Sequence, residues 1–291
     1  LVFSAFAAAY GVGLLPLLAL PFLISAIMND LKLDAAQSGF LMSAEFVFTM
    51  LASLVVAPAM GRAPRRTLAL GGAVLVIGAN IVSASIQDVY WLAAVRCLAG
   101  IGAGLCLACG NASVASAKDP DQAAGHMNIL FVALMSIVMI VFADAMAKHG
   151  LAGLYYAIAG TNALMLVLIA FMPQRAILHA NAPGFQHGRE HRNLFSVTAV
   201  CMMAAMFFFS MRDTMGWAFV EQVGISVGYN GEELGNLFSL QSVIGLLGPL
   251  AAAMIGKRFG MSTPVLFGIF STGAVSLGYV LGESSKEMYT I

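Results

Sequence analysis

The chain has 291 residues, of which 60% are hydrophobic and only 10% are charged, and its mean hydropathy is +0.89. A soluble globular protein carries about 25% charged residues, so the composition excludes a protein that exposes most of its surface to water. The net charge of zero at pH 7 gives no electrostatic basis for binding nucleic acid.

Long uncharged runs mark nine membrane spans in chain order. They cover roughly 3–28, 36–60, 67–87, 89–115, 126–147, 151–172, 194–222, 234–256 and 262–282, each near the length of about 20 residues that crosses a bilayer. Backbone polar groups in lipid must be satisfied within helices or closed barrels. The runs are too long and too evenly apolar for barrel strands, so the sequence predicts an all-α, polytopic membrane protein.

The loop lysines and arginines predict the orientation of these spans. Nine basic residues lie in the loops of one side and three in the loops of the other, while Arg96 and Arg212 fall inside spans. The bias places the N-terminus and segment 173–193 in the cytoplasm. We therefore expect a multi-pass protein of the inner (plasma) membrane.

A weak internal repeat divides the chain after the sixth span. Shifting the sequence by 196 positions matches 11 of 34 residues of helix 2 and early helix 3 without gaps. The match pairs Arg62 with Arg258 and sets Glu45 opposite Gln241. A shift of six spans keeps the direction across the membrane, so the halves are parallel repeats, an architecture that transporters use.

The repeat and the loop lengths together predict three units. They are an N-terminal six-helix bundle at 1–172, a cytoplasmic linker at 173–193 and a partial C-terminal bundle of helices 7 to 9 at 194–291.

Two short motifs carry a family resemblance. Loop 2–3 reads A-P-A-M-G-R-A-P-R-R and holds Arg62, Arg65 and Arg66, and helix 4 reads R-C-L-A-G-I-G from Arg96. They are similar to the signatures G-x-x-x-D-R-x-G-R-R and R-x-x-x-G-x-G of the major facilitator superfamily, although glycine stands in place of the acid in loop 2–3. The loop around Arg258 lacks that acid too.

The resemblance covers the whole length and implies an architecture. The family has twelve helices, so we expect three more beyond these nine and a monomer when the protein is full-length. It implies that helices 1, 4 and 7 surround a central cavity, with 2, 5 and 8 beside it. A small-molecule solute, protons and the lipid bilayer are then the expected partners.

Charged residues inside spans need an explanation, because each costs about 2.5–3.5 kcal/mol at the bilayer centre. Glu45, Arg96 and Arg212 lie at comparable depth along their helices at 1.5 Å per residue, so we predict that they gather about one polar chamber. The alternative for Glu45 and Arg96 is a structural ion pair that holds helices 2 and 4 together.

The neighbours of these charges extend the predicted substrate and proton pathway. On helix 7, Asp213, Trp217 and Glu221 recur every four residues and share a face, which suits a cationic or sugar-like solute or an outer gate. Trp217 is equally explained as a residue of the interfacial aromatic belt. For Asp144 and Glu221, near helix ends, we favour a solvated interface. For Tyr10 we favour a position that faces lipid or protein, with a cavity role as the alternative. The candidate pathway residues are Tyr10, Glu45, Arg96, Arg212, Asp213, Trp217 and Gln241.

The glycines of helix 4 are interpreted as packing residues. Gly100, Gly102 and Gly104 lie inside a span with no strand before them, which excludes a nucleotide-binding loop, and small residues let helices approach closely in lipid. No histidine or cysteine pattern predicts a metal site, and we expect no cofactor.

The sequence thus predicts a secondary active transporter of a small organic solute, proton-coupled, that works by alternating access rather than an enzyme. Glu45 is the first candidate for the proton carrier, because either a proton or a nearby arginine can neutralise a carboxylate at depth. Arg96 and Arg212 favour an anionic solute, whereas Asp213 and Glu221 favour a cationic one. A non-transporting membrane sensor on the same scaffold is the alternative.

Overall fold

The computed structural model describes residues 1–175, 197–245, 247, 267–268 and 270–273. Within these ranges every regular element is a helix, which confirms the predicted all-α class. The elements are α1 Val2–Phe6, a π-helical segment Ala7–Gly13, α2 Leu15–Leu31, α3 Ala35–Val56 with a 3₁₀ turn Ala57–Ala59, α4 Arg65–Ser83, α5 Val89–Ala115, α6 Pro120–Ile169, α7 Val197–Ser226 and α8 Gly231–Gly245.

Five helical segments of the described residues are long and apolar enough to cross a membrane. Four of them coincide with the first four predicted spans, and the fifth, Gln122–Ile169, contains the predicted fifth span and residues 151–169 of the sixth. The predicted seventh span coincides with α7 and the eighth begins at α8. Residues 176–193 of the predicted linker and most of the ninth span lie outside the described residues.

The fifth and sixth predicted spans are two helices that follow each other directly across a kink at Gly150, and both are included in α6. The direction of α6 changes at Gly150, whose φ of 58° is non-helical and lies in the left-handed region that glycine adopts without a Cβ clash. The carboxylate of Asp30, at the end of α2, accepts a hydrogen bond of 2.7 Å from the backbone N–H of Leu151. That bond caps the second part of α6.

Loop aspartates determine where three other helices begin. The side chain of Asp34 accepts from the N–H of Gln37 at the start of α3, and the Gln37 side chain accepts from the Asp34 N–H, which completes a capping box. The Asp88 side chain accepts from the N–H groups of Tyr90 and Trp91 at the start of α5, and the Asp119 side chain accepts from the N–H of Gln122 at the start of α6. These acids therefore satisfy helix N-termini that would otherwise leave backbone donors unpaired.

Helix α2 lies at the centre of the largest apolar core. Its Leu15, Phe22, Leu23 and Ile27 are fully buried, packed with residues of α3, α5, α6, α7 and α8. Pro21 sits inside this helix. Because proline has no backbone N–H, the carbonyl of Leu17 loses its helical donor and is free for another helix.

Glycines on α5 let three neighbouring backbones come very close. A Cβ added to Gly100 or Gly104 would clash with the carbonyl oxygens of Glu45 and Thr49 on α3. A Cβ on Gly102 would lie 2.5 Å from the carbonyl oxygen of Gly72 on α4. Such contacts supply the dispersion energy that joins helices in lipid.

We expect Gly100→Ala to lower the free energy of unfolding by about 1–3 kcal/mol, because the added methyl group forces α3 and α5 apart. The matched control is Gly78→Ala on α4, where nothing lies within 4 Å of an added Cβ. The measurement is thermal unfolding of both variants in the same detergent. Equal melting temperatures for the two would contradict the packing role of Gly100.

Candidate functional site

Three side chains from three other helices meet around Arg96 of α5. Its Nη1 lies 3.4 Å from Oε2 of Glu45 on α3, and its Nη2 donates to Oδ1 of Asn80 on α4 at 3.1 Å. Its guanidinium carbon lies 4.8 Å from the centroid of the Tyr155 ring on α6. All four residues are 0–1% exposed, and we call them the Arg96 cluster.

The backbone around the Arg96 cluster is ordered by local hydrogen bonds. The Asn80 amide donates to the carbonyl of Val76 at 2.9 Å, which leaves its oxygen for Arg96. The Thr49 hydroxyl donates to the Glu45 carbonyl at 2.9 Å. Gly100, four residues after Arg96, brings α5 against that same carbonyl. Local sequence and helix packing therefore fix where each polar atom points.

The hydrogen bonding of the Arg96 cluster is incomplete. Among the described residues, Oε1 of Glu45, Nε of Arg96 and the Tyr155 hydroxyl have no partner. The ion-pair distance of 3.4 Å exceeds the about 2.7–2.9 Å of a strong charge-assisted bond. Glu45 thus keeps one open acceptor oxygen, a position that a proton or a water molecule can occupy.

Two members of this cluster were not predicted from the sequence. Asn80 has a polar amide side chain inside an apolar span. Because such a side chain needs a hydrogen-bond partner in lipid, the sequence could have indicated that Asn80 contacts another helix. Tyr155 had no such signal, because an aromatic residue in a membrane helix is ordinary. Only the packing of α6 against α5 shows that its ring covers a cation.

A second polar contact joins α7 to α2. The indole N–H of Trp217 donates to the Leu17 carbonyl at 2.8 Å, the oxygen that Pro21 leaves without a helical donor. The half-buried indole also packs against Phe238 of α8, with 5.7 Å between ring centroids. A tryptophan suits this position because its indole has one hydrogen-bond donor and no acceptor, which matches one free carbonyl oxygen.

Glu221 lies one turn further along α7 and is fully buried at 0% exposure. The expectation of a solvated interface is therefore wrong for this residue. Ser25 of α2 lies beside its carboxylate, but neither oxygen makes a hydrogen bond of acceptable geometry to a described residue. Asp144, by contrast, is exposed and pairs with Lys148 at 2.7 Å.

The other candidate pathway residues have different surroundings. Tyr10 is half-buried and packs edge-on against Phe6 and Phe131. Asp213 and Gln241 are exposed, so the repeat partner of buried Glu45 has the opposite environment. Arg212 lies in α7, but its side chain falls outside the described part of the structure.

The arginines at the start of α4 and in the loop before it lie near helix ends. Arg65 is buried, and its guanidinium donates to the carbonyls of Met60 and Ala112 and to the Ser116 hydroxyl. Arg66 donates to the Met172 carbonyl. Arg62 is exposed, and Arg258 lies outside the described residues.

No metal-binding cluster occurs among the described residues, since no three His, Cys, Asp or Glu side chains gather there. The four cysteines are free thiols, and two of them are buried in the packing of α5.

Comparison with known proteins points to one family. The model of the Major Facilitator Superfamily matches residues 1–290. A crystal structure of a D-xylose-proton symporter aligns with a TM-score of 0.66 over 99% of this chain and 76% of that one, at 14% identity. An inward-open structure of the xylose transporter XylE from E. coli aligns with a TM-score of 0.55 over 89% and 68%, at 17% identity. No curated protein matches this chain.

We expect Tyr155→Leu to lower the free energy of unfolding by about 2–4 kcal/mol, because it removes a buried ring and its contact with a desolvated cation. Tyr155→Phe keeps the ring and removes an unpaired hydroxyl, so its effect is zero or a gain of up to about 1 kcal/mol. Denaturant titration in detergent measures both.

The control for Tyr155 is Tyr156→Leu, whose side chain is 55% exposed and whose replacement changes stability by no more than about 0.5 kcal/mol. If Tyr155→Phe destabilised the protein as much as Tyr155→Leu, the hydroxyl rather than the ring would be the important group.

Arg65→Ala is expected to cost about 3 kcal/mol of stability, because it removes charge-assisted hydrogen bonds to buried acceptors. Arg62→Ala, at the exposed arginine of the same loop, is expected to change stability by less than about 0.5 kcal/mol. Thermal unfolding of the two variants side by side tests this, and a larger loss for Arg62→Ala would refute the assignment.

Proposed function

Because the chain belongs to the major facilitator superfamily, a family of membrane transporters, we propose that it is a proton-coupled secondary transporter of a small organic solute. Transport proceeds by alternating access, in which the predicted halves at 1–172 and 194–291 move against each other. The cytoplasmic placement of the N-terminus and the 173–193 linker, the inner-membrane location and the monomeric state belong to the same proposal.

The observation that supports proton coupling is the environment of Glu45. It is a fully buried carboxylate with one oxygen near Arg96 and the other without a partner. An ionised carboxylate needs the nearby cation in a low-dielectric site, whereas a protonated one does not. A proton bound at Oε1 of Glu45 therefore loosens its hold on Arg96.

Loosening that ion pair has consequences for helix packing. Arg96 keeps its hydrogen bond to Asn80 on α4 and its contact with the Tyr155 ring on α6, while its attraction to Glu45 on α3 weakens. Because the pair is sealed from solvent, with 1% exposure of both side chains, a proton reaches it only when helices around it move. Proton exchange and helix movement are thus coupled in this mechanism.

The solute class stays open between anions and cations. One structural neighbour is a D-xylose-proton symporter, which supports including a neutral pentose among the first solutes tested. The assay is flux in proteoliposomes made from the complete reading frame, with an imposed pH gradient and labelled D-xylose, organic acids and amines.

Accumulation of one of these solutes that collapses with a protonophore supports the proposal. Saturable binding of a solute without accumulation would instead favour a non-transporting sensor on the same scaffold.

Glu45→Gln is expected to remove the pH dependence of transport. For one coupled proton, accumulation in the parent protein changes by up to about tenfold per pH unit of gradient, since one pH unit is worth about 1.4 kcal/mol. The glutamine keeps an acceptor for Arg96, and Asn80 and Tyr155 still stabilise that cation, so the variant is expected to fold.

The matched control is Asp144→Asn, at an exposed acid of α6, which is expected to keep the pH dependence of the parent protein. Size-exclusion chromatography verifies the fold of both variants. A parent-like pH dependence in Glu45→Gln would rule out Glu45 as the proton carrier.

A further inference from the structure

Glu221 is a buried acid that the mechanism above does not use. Its side chain is fully enclosed, and neither carboxylate oxygen makes a hydrogen bond to a described residue. The Ser25 hydroxyl of α2 lies beside the carboxylate and accepts a hydrogen bond of 2.9 Å from the Gln222 amide. A carboxylate in such a site has lost its water without gaining a cation.

Glu221 lies where the two predicted halves, 1–172 and 194–291, contact each other. On one side of it, Trp217 of α7 donates to the Leu17 carbonyl of α2, and next to it Gln222 donates to Ser25. Phe238 of α8 packs against both Trp217 and Phe22. We call this contact of α2, α7 and α8 the α2–α7 seam.

No charged group of the described residues in the seam compensates Glu221. The Asp30 carboxylate, at the end of α2, accepts from the backbone of Leu151. At the start of α8, Glu233 forms a capping pair with Asn230 and Glu232 is exposed. The side chain of Arg212 on α7 lies outside the described part of the structure. The remaining charged residues on these elements and the adjoining loop are exposed and lie at Lys32, Asp34 and Asp213.

We propose that Glu221 is a second proton-binding group, which takes up a proton when the α2–α7 seam closes and releases it to solvent when the seam opens. The inference rests on the proposed movement of the halves. Burying the neutral acid costs far less than burying an unpaired carboxylate, so proton binding and seam closure stabilise each other.

The sign of the pH effect follows from this linkage. The closed seam holds one proton more than the open seam, so raising the pH favours opening. With one linked proton, the opening equilibrium changes by up to about tenfold per pH unit. Glu45 lies in the Arg96 cluster with other partners, so its variants are expected to leave this response in place.

Trp217 supplies a direct readout of the seam. The chain has two tryptophans, and Trp91→Phe removes the other one, which is 70% exposed on α5. In this background, with any tryptophan outside residues 1–291 also replaced by phenylalanine, protein from the complete reading frame is placed in nanodiscs. Iodide quenching of Trp217 is then measured across acid to alkaline buffer. We expect quenching to be low at acid pH and to rise as the pH is raised.

Three substitutions test the assignment. Glu221→Gln, a neutral isostere, is expected to hold quenching low at every pH, whereas Glu221→Asp keeps a titrating carboxyl and a pH response. Glu232→Gln, at an exposed acid of α8, is expected to behave as the parent. The inference would be overturned if Trp217 quenching in the parent protein did not change with pH, or if quenching in Glu221→Gln followed the same pH profile as in the parent.

The two proposals fail in different assays. If solute flux follows the pH gradient while Trp217 quenching does not change with pH, Glu221 does not couple proton binding to seam closure and the transporter proposal stands. If no solute is accumulated but quenching follows pH through Glu221 alone, the proton-binding seam stands and proton-coupled transport fails.

Discussion

The structure depends on the need to neutralise a cation where no water reaches it. Arg96 is 1% exposed inside a helix of a membrane protein, and an unpaired charge there would cost several kcal/mol, a large part of the stability of a fold. Three neighbouring helices each supply a partner for Arg96: a carboxylate from α3, an amide oxygen from α4 and the face of an aromatic ring from α6. Since each partner comes from a different helix, the same interaction that stabilises Arg96 also sets how those helices are placed.

That cluster can form only because the backbones are close. The glycines of α5 bring it against the carbonyls of α3 and α4, and Arg96 lies one turn from Gly100 on the same helix. Close approach shortens the distance from Arg96 to Glu45 and excludes water, which raises both the cost of an unpaired charge and the strength of a paired one. The packing of small residues and the pairing of the buried polar groups therefore depend on each other.

The two buried acids differ in what surrounds them. Glu45 belongs to a cluster within the predicted N-terminal bundle, while Glu221 lies in a contact between α2 and α7, on opposite sides of the predicted linker. If halves rock as rigid bodies, contacts within a bundle persist and contacts between bundles break. Glu45 then holds an ion pair that a proton loosens inside one bundle, whereas Glu221 serves a contact that forms and breaks between bundles.

The sequence by itself determined the helices, most of the spans and the need of certain residues for partners. Hydropathy and the cost of a charge in lipid are local properties, readable for Glu45 and Arg96 without a fold. Tertiary structure decided that Asn80 and Tyr155 complete the cluster, that Glu221 is buried and Asp213 exposed, and that Trp217 bonds the carbonyl freed by Pro21. Those outcomes depend on which face of each helix meets which neighbour, and that is set by packing between residues far apart in the chain.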